Sequence, residues 1–307
     1  MLVFIINQKM FKNLEIWSTT KCNSRCIMCH AWKKPGYDLE IFKLKKLFQN
    51  SEFKTVCNLQ VSGGEPTERN DLYEFISVIT KNLTSLKKIL LATNGTRPEY
   101  TINVLKKIRK KTNINFKLAV GLEGRRSVNK KIRGIDSYDL ALKTLTLAKK
   151  ELPDMETMIL MTLTSINSNK ENLDHLRDLA SFTDSSFSYR IVYSNPHHFC
   201  NDNSIKPNKK QKENIIEFTE KYYNKNPFLN MQKNYLLKGY VPFKNICKSG
   251  LTFANIRANG SVYPCISSKT RIGDFEKGIF NLKHKGGIFD RCNYCCDEAC
   301  FYPNYNY

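Results

Sequence analysis

Between residues 13 and 195, short apolar runs alternate with longer stretches in which apolar residues recur every three or four positions. The runs LEIWSTT (14–20), TVCNLQVS (55–62), KKILLAT (87–93), NFKLAVGL (115–122), ETMILMTLT (156–164) and SYRIVYS (188–194) predict six strands. The amphipathic stretches near 38–49, 70–82, 98–111, 136–151 and 168–181 predict the helices between them. Strands that are nearly continuously apolar, each followed by a helix, imply a parallel sheet covered by helices. Six βα units are too few for a closed eight-stranded barrel, so the expectation is an α/β fold, a partial (β/α)6 TIM-like barrel.

A further helix is predicted over 207–224, and it closes this part of the chain. From about residue 240 the composition changes toward Cys, Gly, Tyr and Phe. FANIRANGSVYPC (253–265) reads as a β-hairpin turning at Asn259-Gly260. The stretch RCNYCCDEACFYPNY carries too little apolar periodicity to fold without a staple. Two domains are therefore expected: 1–235, with its core at 13–195, and a small Cys-rich one at 240–307. The opening MLVFIINQKMFK lacks the basic start, sustained apolar run and cleavage site of a signal peptide, and reads as a first strand or a cover for the chain end. No apolar run reaches the ~18–20 residues of a membrane helix. The chain reads as cytoplasmic, with no membrane partner.

Composition changes this picture in two places. The net charge is +21, which suits either a nucleic acid or a Lys-rich compositional bias. Basic runs such as VLKKIRKKTN fall on an outer helix face, where lysines are solvated, and no RNA-binding module is visible. The eleven cysteines are uneven: three lie in 22–29 and six in 247–300, with Cys57 and Cys200 between. An odd, clustered set fits metal binding better than a disulfide framework.

Cys22, Cys26 and Cys29 follow the end of the first strand, at the edge where βα barrels gather their chemistry. Their i, i+4, i+7 spacing also fits a buried helical stripe, but Thr19, Thr20, Asn23, Ser24 and Pro35-Gly36 give the segment the composition of a loop. Three thiolates can hold three irons of a [4Fe–4S] cube and leave the fourth open to a ligand. A zinc site would need His30 as a fourth ligand directly beside Cys29.

With CNSRCIMC after the first strand, VSGGEPT (61–67) at the end of the second, LATNGT (91–96) at the end of the third and GLEGRRSVNKKIRG (121–134) after the fourth, the chain resembles the radical S-adenosylmethionine (SAM) enzyme superfamily. The resemblance covers roughly 13–195. It implies an open-iron [4Fe–4S] cluster on Cys22, Cys26 and Cys29, with SAM held by Gly63, Gly64 and Glu65 and near Asn94. Glu123, where relatives more often carry Asp, would meet the ribose, and Arg133 the cofactor or substrate. An electron from an external reductant such as flavodoxin or ferredoxin would cleave SAM to a 5′-deoxyadenosyl radical that abstracts a substrate hydrogen atom.

Farther on, C-x12-G-x4-C at Cys247 and Cys265, followed by Cys292, Cys295, Cys296 and Cys300, resembles the SPASM and twitch extensions of that superfamily. The resemblance implies one auxiliary [4Fe–4S] cluster on Cys247, Cys265, Cys292 and Cys295. Cys300 is the substitute ligand, a zinc knuckle at 292–300 is the competing reading, and a second cluster is not expected because the full SPASM spacing is missing. Only 21 residues precede Cys22, short of the leader-binding domain many peptide-modifying relatives carry. The expectation is therefore a small polar or sugar-like substrate, undergoing epimerisation or dehydrogenation, with a peptide maturase and an RNA-modifying enzyme as alternatives. Cys200, in the loop after strand six, is a candidate hydrogen-atom donor, against the plainer reading of an incidental thiol.

Overall fold

A computed structural model describes residues 10–29, 31–192, 203–238 and 249–280. Six parallel strands run in chain order through the centre: β1 (Asn13–Thr19), β2 (Asn58–Gly63), β3 (Lys88–Thr93), β4 (Asn115–Gly121), β5 (Glu156–Leu163) and β6 (Ser186–Ile191). Between them lie α1 (Ile41–Leu47), α2 (Leu72–Asn82), α3 (Pro98–Arg109), α4 (Arg126–Arg133), α5 (Tyr138–Glu151) and α6 (Lys170–Phe182). The predicted open partial barrel is what the chain forms.

Every residue of β1 is buried, yet its two faces differ. Leu14 and Ile16 join Leu59, Val61, Ile89, Leu91, Leu118, Val120 and Ile159 in a core that the helices cover with Leu44, Phe75, Ile76, Leu105, Leu145 and Leu176. Glu15 and Trp17 face the other way, into the mouth of the barrel, as do Gln60, Ser62, Thr162 and Arg190. The inner apolar layer is small, comprising Leu90, Ala119 and Met158. The strands are thus apolar toward the helices and polar toward the barrel axis, because successive side chains alternate faces.

Two helices lie where no periodic signal was read. In α4 the apolar positions are only Val128 and Ile132, one turn apart among charges, and Gly134 ends the helix at φ 67°, a left-handed cap suited to glycine. The other, α8 (Pro227–Lys238), follows α7 (Lys209–Tyr223), which opens with a reciprocal Asn208–Gln211 capping box. Strand β6 begins at Ser186, two residues before the expected start.

The C-terminal hairpin is present as β7 (Phe253–Ile256) and β8 (Ser261–Tyr263), followed by short β9 (Gly273–Asp274) and β10 (Gly278–Ile279). β7 pairs parallel to β1, with Glu15 opposite Asn255, so the hairpin extends the barrel sheet to ten strands. Among the described residues no helix is long and apolar enough to cross a membrane.

Candidate functional site

Past Thr19 the chain leaves β1 as an irregular loop, and Cys22, Cys26 and Cys29 sit on that loop and not on a helix. Two neighbouring segments pin it by backbone bonds. Gly64 N–H donates to Thr19 O at 2.8 Å and Glu65 N–H to Lys21 O at 2.7 Å. From α4, the carbonyls of Arg133 and Ile132 accept from Arg25 N–H at 2.8 Å and Ile27 N–H at 2.9 Å. A Cβ on Gly64 would overlap the Lys21 carbonyl, and one on Gly134 would press on Arg25. The glycines of GGE and IRG are therefore what allow both segments to close on the cysteine loop.

Asn94 supplies the third hold. Its amide nitrogen donates to Asn23 Oδ1 at 2.7 Å and Ser24 Oγ at 2.9 Å, and its oxygen accepts from Thr96 N–H and Oγ. Those four bonds use the whole capacity of the amide.

Glu65 is 2 % exposed. Its Oε1 accepts from Thr67 N–H, Thr67 Oγ and Thr93 Oγ, and its Oε2 accepts from Asn94 N–H at 2.6 Å. Burial pushes this carboxyl up from its ordinary value, against the pull of those donors. One lone pair of Oε2 is left to face the cavity. Thr93 opens the TNG stretch of the third motif, of which only Asn94 is expected in the site.

Across the barrel, Arg133 Nη2 donates to Glu123 Oε1 at 2.7 Å, and Glu123 Oε2 accepts from Thr162 N–H at 2.7 Å. Glu123 is fully buried and Arg133 largely so, and the Arg133 guanidinium lies so close over Gly121 that any Cβ there would collide with it. Burial opposes the charge on Arg133, but the Glu123 carboxylate outweighs it and holds the group above its ordinary value. Arg133 Nε is buried with no partner among the described residues.

These residues surround one cavity of about 900 Å³. Cys22, Cys26, Cys29, Gly63, Gly64, Glu65, Asn94, Glu123 and Arg133 all line it, brought from the ends of four strands. Burial pushes the Cys22 and Cys29 thiols up to about 12, and Cys26 upward as well. Among the described residues no three His, Cys, Asp or Glu side chains converge closely enough for a single metal ion. A four-iron cube does not ask for that, since each thiolate takes a different iron. The donor set and the orphaned Arg133 Nε therefore fit an iron–sulfur cluster with a carboxylate-bearing ligand beside it.

The strand interiors add residues that none of the motifs marks. Glu15, Trp17, Gln60, Ser62, Thr162 and Arg190 line the same cavity, and the signal for them was the alternate polar position within each apolar run. Glu15 is 3 % exposed and accepts from Ser62 Oγ at 2.6 Å, with Asn255 Nδ2 at 3.4 Å. Cys265 is buried beside Ile266, which lines the cavity from the C-terminal hairpin. Cys200, Cys247, Cys292, Cys295, Cys296, Cys300 and His30 lie outside the described residues.

Residues 17–182 match the model of the Radical SAM superfamily. Mycofactocin maturase MftC of Mycolicibacterium smegmatis is 26% identical over 170 residues, 54% of this chain and 40% of that protein. Streptococcus suis SuiB bound to precursor peptide SuiA shares the fold at a TM-score of 0.64 and 16% identity, over 88% of this chain and 63% of SuiB. Native anSMEcpe with bound AdoMet and Cp18Cys peptide does so at 0.64 and 18%, over 89% of this chain and 80% of that one. The chain spans less than half the length of the curated maturase and under two thirds of SuiB.

Proposed function

The chain belongs to the radical SAM superfamily, and on that premise we propose that it is a radical SAM enzyme acting on a peptide substrate. The observation that carries the assignment is the convergence on one cavity of all nine site residues expected from the four N-terminal motifs. The bound cluster and SAM together would supply a 5′-deoxyadenosyl radical able to abstract a hydrogen atom.

The protein's own residues divide the remaining work. Cys22, Cys26 and Cys29 hold the cluster, while Asn94, Gly64 and Gly134 position their loop. Glu65 Oε2 accepts from the ammonium of SAM, and Arg133, with its orphaned Nε, binds the carboxylate. Glu123 keeps Arg133 charged and oriented. Cys265, with Cys247, Cys292 and Cys295, is assigned to one auxiliary cluster, and an external one-electron reductant completes the system.

The expectation of a small polar or sugar-like substrate gives way to the peptide reading. SuiB holds a precursor peptide and anSMEcpe a Cp18Cys peptide on the same fold, and a maturase is a curated relative. Those relatives support the reading.

The test is anaerobic reconstitution with iron and sulfide, reduction with dithionite, and quantification of 5′-deoxyadenosine. Formation of deoxyadenosine by the parent and its loss on changing Cys22, Cys26 and Cys29 to Ala is the expected result. Retained SAM cleavage in the triple variant would sink the assignment.

A further inference from the structure

Trp17 is a wall between two cavities. On one side is the motif-lined chamber, and on the other a cavity of about 590 Å³ lined by Trp17, Thr20, Lys34, Tyr37, Gly64 and Arg257 among others. The two share Trp17, Gly63 and Gly64. Tyr37 and Lys34 are exposed, which opens the second cavity to solvent on that side. Its described lining holds two cationic side chains and no carboxylate.

Arg257, one residue past β7, is the inner of the two cations. Its guanidinium lies 3.5 Å from the centroid of the Tyr263 ring and 5.5 Å from that of Trp17, and Nη2 donates to Ser268 O at 3.0 Å. Its Nε is buried without a hydrogen-bond partner among the described residues, and burial presses against its charge more than the Glu15 carboxylate supports it. Ring faces fix the plane of a guanidinium but accept few of its in-plane N–H bonds. What remains is a planar, partly buried fork of donors in a cavity whose described lining carries no carboxylate, with Glu15 acting on it only through space from the neighbouring chamber, which is the arrangement a carboxylate matches.

We propose that this second cavity is a substrate-anchoring subsite, in which Arg257 takes the side-chain carboxylate of an acidic residue of the peptide substrate, with Lys34 attracting it at the mouth. The inference rests on the peptide reading above and makes it specific: a carboxylate seated across Trp17 from the chamber places a neighbouring residue of the peptide toward SAM.

Anaerobic calorimetry on the reconstituted, SAM-saturated full chain tests it with two probes, Ac-Gly-Asp-Gly-NH2 and Ac-Gly-Asn-Gly-NH2. The Asp tripeptide is expected to bind about tenfold more tightly, the equivalent of one charge-assisted fork. Arg257→Gln should erase that preference and Arg257→Lys retain part of it. If Arg257→Gln fails to fold, the exposed Lys34→Gln carries the test, weakening the Asp probe about threefold and leaving the Asn probe unchanged. Equal binding of the two probes to the parent overturns the proposal. So does a loss of SAM affinity in Arg257→Gln, which would assign Arg257 to the cofactor. Failure of the parent to bind SAM at all would overturn the family-based function, while an Asp preference in that same protein would still support the subsite.

Discussion

Asn94, at the end of the third strand, donates to Ser24 Oγ at 2.9 Å, between the first two cysteines of the loop that leaves the first strand. The same amide reaches Asn23 at 2.7 Å. A residue that sequence motifs suggest as a cofactor contact thus has its whole amide spent on holding the cysteine loop.

Asn94→Ala should therefore act on cluster assembly. Removing the amide leaves Asn23, Ser24 and Thr96 short of partners, at about 1–3 kcal/mol. Iron per chain after reconstitution, and the visible absorbance of the cluster, are expected to fall and to bleach faster in air. A variant with full iron content and normal air stability would contradict the positioning role.

Arg133→Gln strands the Glu123 carboxylate, which is 1 % exposed. Breaking a buried pair from one side costs about 3–5 kcal/mol. Thermal unfolding should show that loss, and SAM binding should weaken. The double variant Arg133→Met/Glu123→Gln removes both charges and should regain most of the stability without regaining SAM affinity. Recovery of both would mean that Arg133 does not touch the cofactor.

Gly64→Ala drives a methyl group into the Lys21 carbonyl. Overpacking against backbone costs on the order of 1–3 kcal/mol, and here the strain falls on the segment that presents Cys22. The expected result is a lower unfolding midpoint with a disproportionate drop in cluster content. Gly36→Ala, where the nearest atom is the flexible Lys21 Cγ at 3.0 Å, serves as the milder control.

Cluster loading should release protons. Burial raises the thiols of Cys22 and Cys29 to about 12 and that of Cys26 in the same direction. In the metal-free protein they are protonated at neutral pH, and ligation needs thiolates, so about one proton leaves per thiol. Apparent affinity for iron or cobalt(II) should thus rise steadily from pH 6.5 to 9. Potentiometric titration that finds no proton release would contradict this.

Much of the fold was legible because it rests on local patterns. Alternation of strand and helix signals marks each βα unit, and a parallel sheet follows from burying both faces of the strands. What the pattern concealed is that the two buried faces differ in kind. Glu15 and Trp17 alternate with Leu14 and Ile16, and a run read as nearly continuous apolar carries the polar lining of a chamber. Helix α4 leaves little trace in the pattern because Val128 and Ile132 are its only apolar positions, and its placement depends on what Ile132 and Arg133 do for the cysteine loop.

By itself the sequence determined which chemistry is present: three cysteines in a loop composition, glycines where backbones must close, and an acid and a cation at successive strand ends. These are properties of residue type and spacing. Tertiary structure decided which of them share a space and which are already occupied. Asn94 is consumed by the loop, Glu65 keeps one lone pair, and Glu123 is taken by Arg133. It also joined Phe253–Ile256 to the first strand, which brings Arg257 against Trp17. Such pairings link residues as much as 240 positions apart, so they follow from the packing of the whole sheet and not from any local pattern.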